Sequence, residues 1–202
     1  MTDKQRCSWA EGSDIYIHYH DTEWGVPVLE DRKQFEFLVL ESAQAGLSWI
    51  TILKKRENYR NAYNNFDPES VAGYNEIDVQ RLINNPGIIR NKRKIEASLN
   101  NARKFLEIQK EFRSFCRYIW QFTDYKPLVN SWKQETDIPA KTALSEEISR
   151  DLKKRGFSFL GPIIIYSHLQ AVGIVNDHIE SCFRYDELRQ MTSQMKIREL
   201  LP

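Results

Sequence analysis

Residues 35–56 read FEFLVLESAQAGLSWITILKKR, and their pattern decides the fold class. Phe37, Leu38, Glu41 and Ala45 recur at helical spacing and so share one face of a helix. That face is apolar except at Glu41. A carboxylate there needs hydrogen-bond donors, because burying it unpaired costs several kcal/mol or forces it to take up a proton. Two roles stay open for it: a pocket acid, or a structural group that caps a neighbouring helix or pairs with a core arginine. Gly46 ends the helix, Ser48 is placed to cap the next, and Trp49, Ile50, Ile52 and Leu53 begin a second apolar stripe. That helix runs into Lys54, Lys55 and Arg56, which suit a helix C-terminus or a phosphate backbone.

Working outward, the same helical period returns with short breaks. A short helix is expected over 59–66, another from Asp67-Pro68 to near Gly73, and a third over 77–84. Residues 88–109 carry Ile88, Ile95, Leu99, Ala102 and Leu106 as one stripe, and 112–122 and 143–154 are again helical. No alternating strand of any length and no internal repeat is present, so the fold is read as all-α. Upstream, residues 1–31 are turn-rich and aromatic, with Trp9, Tyr16, Tyr19 and Trp24 punctuated by Gly12, Gly25 and Pro27. So aromatic a segment is expected to fold back and line something.

Downstream, residues 152–173, LKKRGFSFLGPIIIYSHLQAVG, place a basic helix end before Gly156, then Gly161-Pro162 and a new apolar helix. Glycine in the turn and proline at the first helical position are what a tight helix–hairpin–helix needs. Exposed N–H groups at such a turn favour a phosphate; an ordinary αα-hairpin has the same pattern. Asn85-Pro86-Gly87, followed by Arg90 and Lys92–Lys94, is a second, weaker phosphate candidate.

The 202 residues are read as one domain, or one domain with a lobe, with room for a full core, 41% of them apolar and five of them Trp. A formal net charge of +1 does not announce a nucleic-acid partner, and the basic clusters at Lys54–Arg56, Arg90–Lys94 and Lys153–Arg155 read first as solvated helix faces. No window spans a bilayer and the start, MTDKQRCSW, lacks a signal-peptide core, so a cytoplasmic protein with no membrane contact is expected. Three cysteines in that setting point to metal binding or burial rather than disulfides.

His178 and Cys182 lie four apart, one turn on a helix, a spacing that suits two ligands of one zinc ion. Cys7 and His20 complete a Cys2His2 set if the two ends of the chain meet. Four protein ligands leave no open position for water, so the expectation is a structural Zn2+ clasp rather than a hydrolytic centre. Cys116 reads as a small buried hydrophobe, and His18 and His168 as ordinary.

Taken in order, RCSW, YHDTEWGVP, LESAQAGLSWITILKKRENYR, GIIRNKRKI, LKKRGFSF and VNDHIESC resemble bacterial 3-methyladenine DNA glycosylase I over about residues 6–183. The resemblance implies an all-α helix–hairpin–helix glycosylase fold with a zinc clasp joining the N- and C-terminal segments. It divides the chain into a helical domain over 1–183 and a tail over 184–202. It places the zinc ligands on Cys7, His20, His178 and Cys182, the base-recognising acid on Glu41 and the stacking ring on Trp49. Pocket aromatics fall on Trp9, Tyr16, Tyr19 and Trp24, and a small polar pocket residue on Ser167. Gly46-Leu47 falls where a side chain fills the gap left by a flipped base. Lys153, Lys154, Arg155, Gly156 and Gly161 are expected along the phosphate backbone. His168 stands where an aromatic is usual, and the tail is longer than the family's.

The implied activity is hydrolytic release of 3-methyladenine, with 3-methylguanine as a secondary substrate, from double-stranded DNA by a monomer. An alkylated purine is cationic and its glycosidic bond already weak, so an aromatic cage with a carboxylate suffices and no general acid is required. With no lysine placed as a nucleophile, water attacks and no strand is cut. Two other classes compete. A zinc-stabilised, non-catalytic DNA-binding module explains the clasp and hairpin but has no use for Glu41. A zinc hydrolase or deaminase needs an open metal position, which four protein ligands deny.

Overall fold

The quoted stretch becomes two helices at the centre of the computed structural model, which describes residues 4–201. Helix α2 (Asp31–Gln44) is buried at every position from Gln34 to Ala43, so its apolar character extends around the whole cylinder and not one face alone. It packs against α3 (Trp49–Ala62), α6 (Lys92–Phe112), α7 (Phe115–Trp120) and α9 (Pro162–Ala171). Asp31 opens α2 and also ties it to α7, accepting from the backbone N–H groups of Phe115 and Cys116 at 2.8 Å each.

The remaining helices are α1 (Asp14–Thr22), α4 (Pro68–Ala72), α5 (Glu76–Ile83), α8 (Ala143–Lys154), α10 (Phe183–Ser193) and α11 (Ile197–Leu200). The all-α reading holds apart from one two-residue parallel pairing, β1 (Leu128–Val129) with β2 (Val175–Asn176). The expected short helix at 59–66 is the end of α3 plus a 3-10 turn over Asn64–Phe66. Helix α6 starts later than the apolar stripe, because Asn91 caps it by accepting from the Lys94 N–H at 3.2 Å. The apolar run over 112–122 is broken at its start by Arg113, at φ 74°, and by Ser114, which caps α7. The aromatic N-terminal segment, read as turns, contains α1 and with it Tyr16, Tyr19 and His20.

Two chain segments far apart in sequence run together behind α9. Gly25 and Val28 donate to the carbonyls of Gln170 and Val172 at 3.1 and 3.0 Å. Gly173, at φ 70°, must be glycine there: a Cβ would lie 2.4 Å from the backbone of Val26 and Pro27. Beyond residue 183 the chain docks, burying Leu188, Ile197 and Leu201.

Candidate active site

A cavity of about 520 Å³ opens between α1, the start of α3, α9 and the segment following β1. The structure brings Trp9, Tyr16, Tyr19, Trp24, Glu41, Trp49 and Ser167 together around it. Gln44, Ser48, Glu135, Ile138 and Gln170 line it as well, and sequence reasoning did not single out a pocket role for any of them. Glu135 and Ile138 come from a stretch with no periodic signal. Glu135 is held by Ser8, whose backbone N–H and hydroxyl both donate to its carboxylate.

Glu41 is 3% exposed and Oε2 has no hydrogen-bond partner. The structural alternatives for this residue, a cap or an arginine pair, are therefore not what the fold builds. Burial alone pushes its carboxyl up to about 8. Burial and then the Glu41 carboxylate raise the neighbouring Tyr19 phenol well above its ordinary range. The indole Nε1 of Trp49 is likewise buried and faces the Tyr19 phenol without a well-formed hydrogen bond to any described residue. Such groups in an otherwise aromatic cavity are what a ligand bearing hydrogen-bonding edges completes.

Tyr16 explains how Trp49 is held. Its hydroxyl accepts from the Ile50 N–H, one of the orphan donors of α3, at 2.9 Å. Ser48 was expected to serve that helix start, but its hydroxyl pairs with Thr51 Oγ1 at 2.8 Å and makes no cap to the backbone. The rings form a continuous wall. Trp9 meets Trp24 edge-on with centroids 5.0 Å apart, and Tyr19 lies 5.6 Å from Trp49.

Directly behind Trp9 and Trp24 the two ends of the chain meet. One potential ligand atom from each of Cys7, His20, His178 and Cys182 lies within 4.8 Å of the others, all buried. His178 and Cys182 do not share a helix, as their spacing suggested. They lie in the irregular turn between β2 and α10. The donor set fits a metal ion. His20 Nδ1 pairs with Asp21 Oδ1 at 2.8 Å and His178 Nε2 with the Trp24 carbonyl at 3.1 Å, which leaves a lone pair on the opposite nitrogen of each ring facing the sulfurs. Metal bonds of about 2.0–2.3 Å in a tetrahedron give ligand–ligand edges of about 3.3–3.8 Å. Cys182 Sγ lies 3.4 Å from His20 Nε2 and from His178 Nδ1, and Cys7 Sγ lies 3.7 Å from His178 Nδ1.

The candidate DNA-facing residues fall on two features flanking the cavity. Gly46, at φ 81°, turns the chain out of α2 and leaves Leu47 40% exposed between Gln44 and Ser48 of the cavity wall. Lys94 holds this turn from below, its Nζ donating to the carbonyls of Ala43 and Ala45 at 2.9 and 2.6 Å. The second feature joins α8 to α9. Gly156 and Phe157 close α8 through the carbonyls of Lys153 and Leu152 at 3.0 Å each, and Asn101 grips Ser158 through its backbone N–H and C=O, both at 2.9 Å. Gly161 precedes Pro162 at the start of α9, about 9 Å along the helix axis from Ser167. Lys153 and Lys154 are exposed. Arg155 is not turned outward like them: it pairs with Asp151 and Glu111 at 2.8 and 2.7 Å. Arg56 is similarly committed, to Glu23 at 2.7 Å and Glu36 at 2.8 Å, while Lys55 donates to the carbonyl of Pro86 at 3.1 Å and Lys54 is exposed.

Residues 9–185 match the family model described as methyladenine glycosylase. The chain belongs to that family. It is 47% identical over 181 residues to DNA-3-methyladenine glycosylase 1 of Escherichia coli (strain K12), spanning 90% of this chain and 97% of that protein. It is 44% identical over 177 residues to DNA-3-methyladenine glycosylase of Haemophilus influenzae, spanning 88% and 96%. A crystal structure of 3-methyladenine DNA glycosylase I superposes with a TM-score of 0.86 at 49% identity, covering 89% of this chain and 98% of that one. A methyladenine glycosylase structure from Staphylococcus aureus, described as showing the basis of 3-methyladenine recognition, gives the same TM-score at 36% identity, covering 89% and 96%. This family member is therefore a glycosylase enzyme with the same fold.

Proposed function

We propose that this glycosylase extrudes 3-methyladenine from alkylated duplex DNA into the cavity and releases it by hydrolysis, leaving an abasic site. The observation that carries the reading is Glu41: a buried carboxylate in the wall of an aromatic cavity, its Oε2 without a hydrogen-bond partner among the described residues. A cationic purine supplies what that site lacks. Trp49 stacks on the ring, the cage attracts its charge, and Glu41 accepts from the exocyclic amine. Neutral adenine gains neither the charge attraction nor a weakened bond. No lysine lines the cavity among the described residues, in keeping with attack by water and no strand cleavage.

Leu47 is suited to occupy the stack that the base vacates, with its backbone held by Lys94. The α8–α9 connection serves as the helix–hairpin–helix, its exposed Lys153, Lys154 and the N–H groups near Gly156 and Gly161 meeting phosphates. Zn2+ is the ion suited to the Cys2His2 cluster. With four protein ligands it would act as a structural clasp fixing the Trp9–Trp24 wall, while base binding rests on the cavity residues. The protein works as a monomer in the cytoplasm. The test is chromatography of free bases released from methylated duplex DNA by wild type and Glu41→Gln. Release of 3-methyladenine by wild type and slow release by the variant is expected. DNA binding without any release would replace this reading with a non-catalytic binding module.

A further inference from the structure

Asp177 is 1% exposed and forms no ion pair among the described residues, yet its carboxylate gathers four neutral donors. Asn130 Nδ2, Trp132 Nε1 and Gln170 Nε2 donate at 2.7 Å each, and the Tyr166 hydroxyl at 2.5 Å. Three of the four donors lie outside the cavity. Gln170 alone lines it.

This arrangement fixes a direction that a glutamine otherwise leaves open. A carboxylate accepts hydrogen bonds, so the Gln170 amide must turn its NH2 toward Asp177. The carbonyl Oε1 is then the polar atom left for the cavity, and a flip would set two acceptors against each other inside the protein. The cavity therefore presents the Gln170 carbonyl as a fixed acceptor in addition to the carboxylates of Glu41 and Glu135 that also line it. It has no lysine or arginine in its lining to offer a competing charged donor.

We infer that Gln170, locked by Asp177, is a specificity-determining residue that reads the 6-amino edge of the extruded base and disfavours a 6-oxo purine. An amine at carbon 6 has two N–H groups, one for Glu41 and one for Gln170. A carbonyl at that position has none, and facing a fixed acceptor leaves both oxygens desolvated and unpaired. Asp177 is the positioning residue: it touches no base and acts by denying Gln170 its other orientation. This inference deepens the base-excision reading and rests on it for the placement of the base.

The experiment uses Gln170→Met, Asp177→Asn and Tyr166→Phe beside wild type, with two readouts. One is the ratio of 3-methyladenine to 3-methylguanine released from methylated duplex DNA. The other is the affinity for each free base, followed by quenching of the cavity tryptophans. Gln170→Met is expected to lower both ratios about tenfold, chiefly by weakening the adenine partner. Asp177→Asn is expected to shift them in the same direction, because an asparagine can accept or donate and releases the amide to turn. Tyr166→Phe removes a donor from Asp177 without reaching the cavity and is expected to hold both ratios within about twofold. Wild-type ratios in Gln170→Met overturn the inference, as does a shift in Tyr166→Phe as large as in Asp177→Asn. Should wild type bind free bases but release none, the excision reading fails, while the binding ratios still decide the role of Gln170.

Discussion

Trp24 stands against His178 with ring centroids 4.5 Å apart, and its own backbone carbonyl pairs with that imidazole's Nε2 at 3.1 Å. One residue thus forms the wall of the cavity and the outer support of a candidate metal ligand. The clasp and the cage are a single piece of structure.

Removing the clasp is therefore expected to disturb the cage. Cys182→Ser, or prolonged chelation of the wild type, should lower stability by several kcal/mol, because the ligands come from opposite ends of the chain. Thermal unfolding with metal analysis measures the first effect, and the emission of the cavity tryptophans the second. An unchanged melting temperature in a metal-free sample would show that the cluster does not support the fold.

Glu41 is expected to impose a pH dependence on stability and activity in opposite senses. Its folded-state value of about 8 lies above the ordinary 4.5, so the free protein loses stability as pH rises from about 4.5 through 8. Glu41→Gln, which carries no charge, should be more stable than wild type at pH 9 by about 2–4 kcal/mol, a gap that vanishes toward pH 4. Excision at low substrate concentration should rise with pH to a plateau above about 8, as the carboxylate ionises to receive a cation. Denaturant titrations at both pH values and a pH–rate profile check this. A rate that falls as Glu41 ionises would contradict the role given to its charge.

The ion pairs around Arg56 should behave the other way. Burial opposes the charge on Glu23, but the Arg56 guanidinium, helped by Lys33, outweighs it and holds the carboxyl down at about 2. A depressed value means stability present above about 4.5 and lost as pH falls through 2. Glu23→Gln is expected to be about 2–3 kcal/mol less stable than wild type at pH 7, with the difference closing in acid. Urea unfolding at pH 7 and at pH 3 would show it.

Leu47 and Lys94 separate the handling of DNA from the recognition of the base. Leu47→Ala should leave stability within about 0.5 kcal/mol, since the residue is exposed on a turn outside the core. It should nonetheless slow excision from duplex about tenfold or more. Lys94→Met releases the carbonyls of Ala43 and Ala45 and should slow the same reaction while leaving affinity for free 3-methyladenine near wild type. Equal losses in both assays for Lys94→Met would place its effect in the cavity and not at the turn.

Much of this site was legible before any coordinates, for reasons that differ by residue. Glu41 declared itself because a lone acid among Phe37, Leu38 and Ala45 breaks the pattern of its helix. The meeting of Cys7, His20, His178 and Cys182 was nameable by chemistry, although the helix presumed for His178 and Cys182 is absent: the cluster needs proximity, and an irregular turn supplies it equally well. Gln170 and Gln44 were invisible, since a glutamine within a helical stripe carries no signal until its partner across the fold is known. Glu135 lay in a stretch without periodicity and is held by Ser8, a contact 127 residues away in sequence. Arg56 and Arg155 misled for the same reason. A basic run shows charge, whereas the acids that neutralise it arrive from other elements.

The meeting of Cys7 with His178, 171 residues apart, also sets an order of events during synthesis. The aromatic rings of Trp9, Tyr16, Tyr19 and Trp24 are made early, yet their wall has no backing until His178 and Cys182 have followed. Local helices such as α6 can form long before that, while this closure must wait. A nascent or truncated chain ending before residue 178 would carry the rings without the shape that gathers them around a base. The cavity proposed to take the base is thus completed only after residues 178–182 have been made.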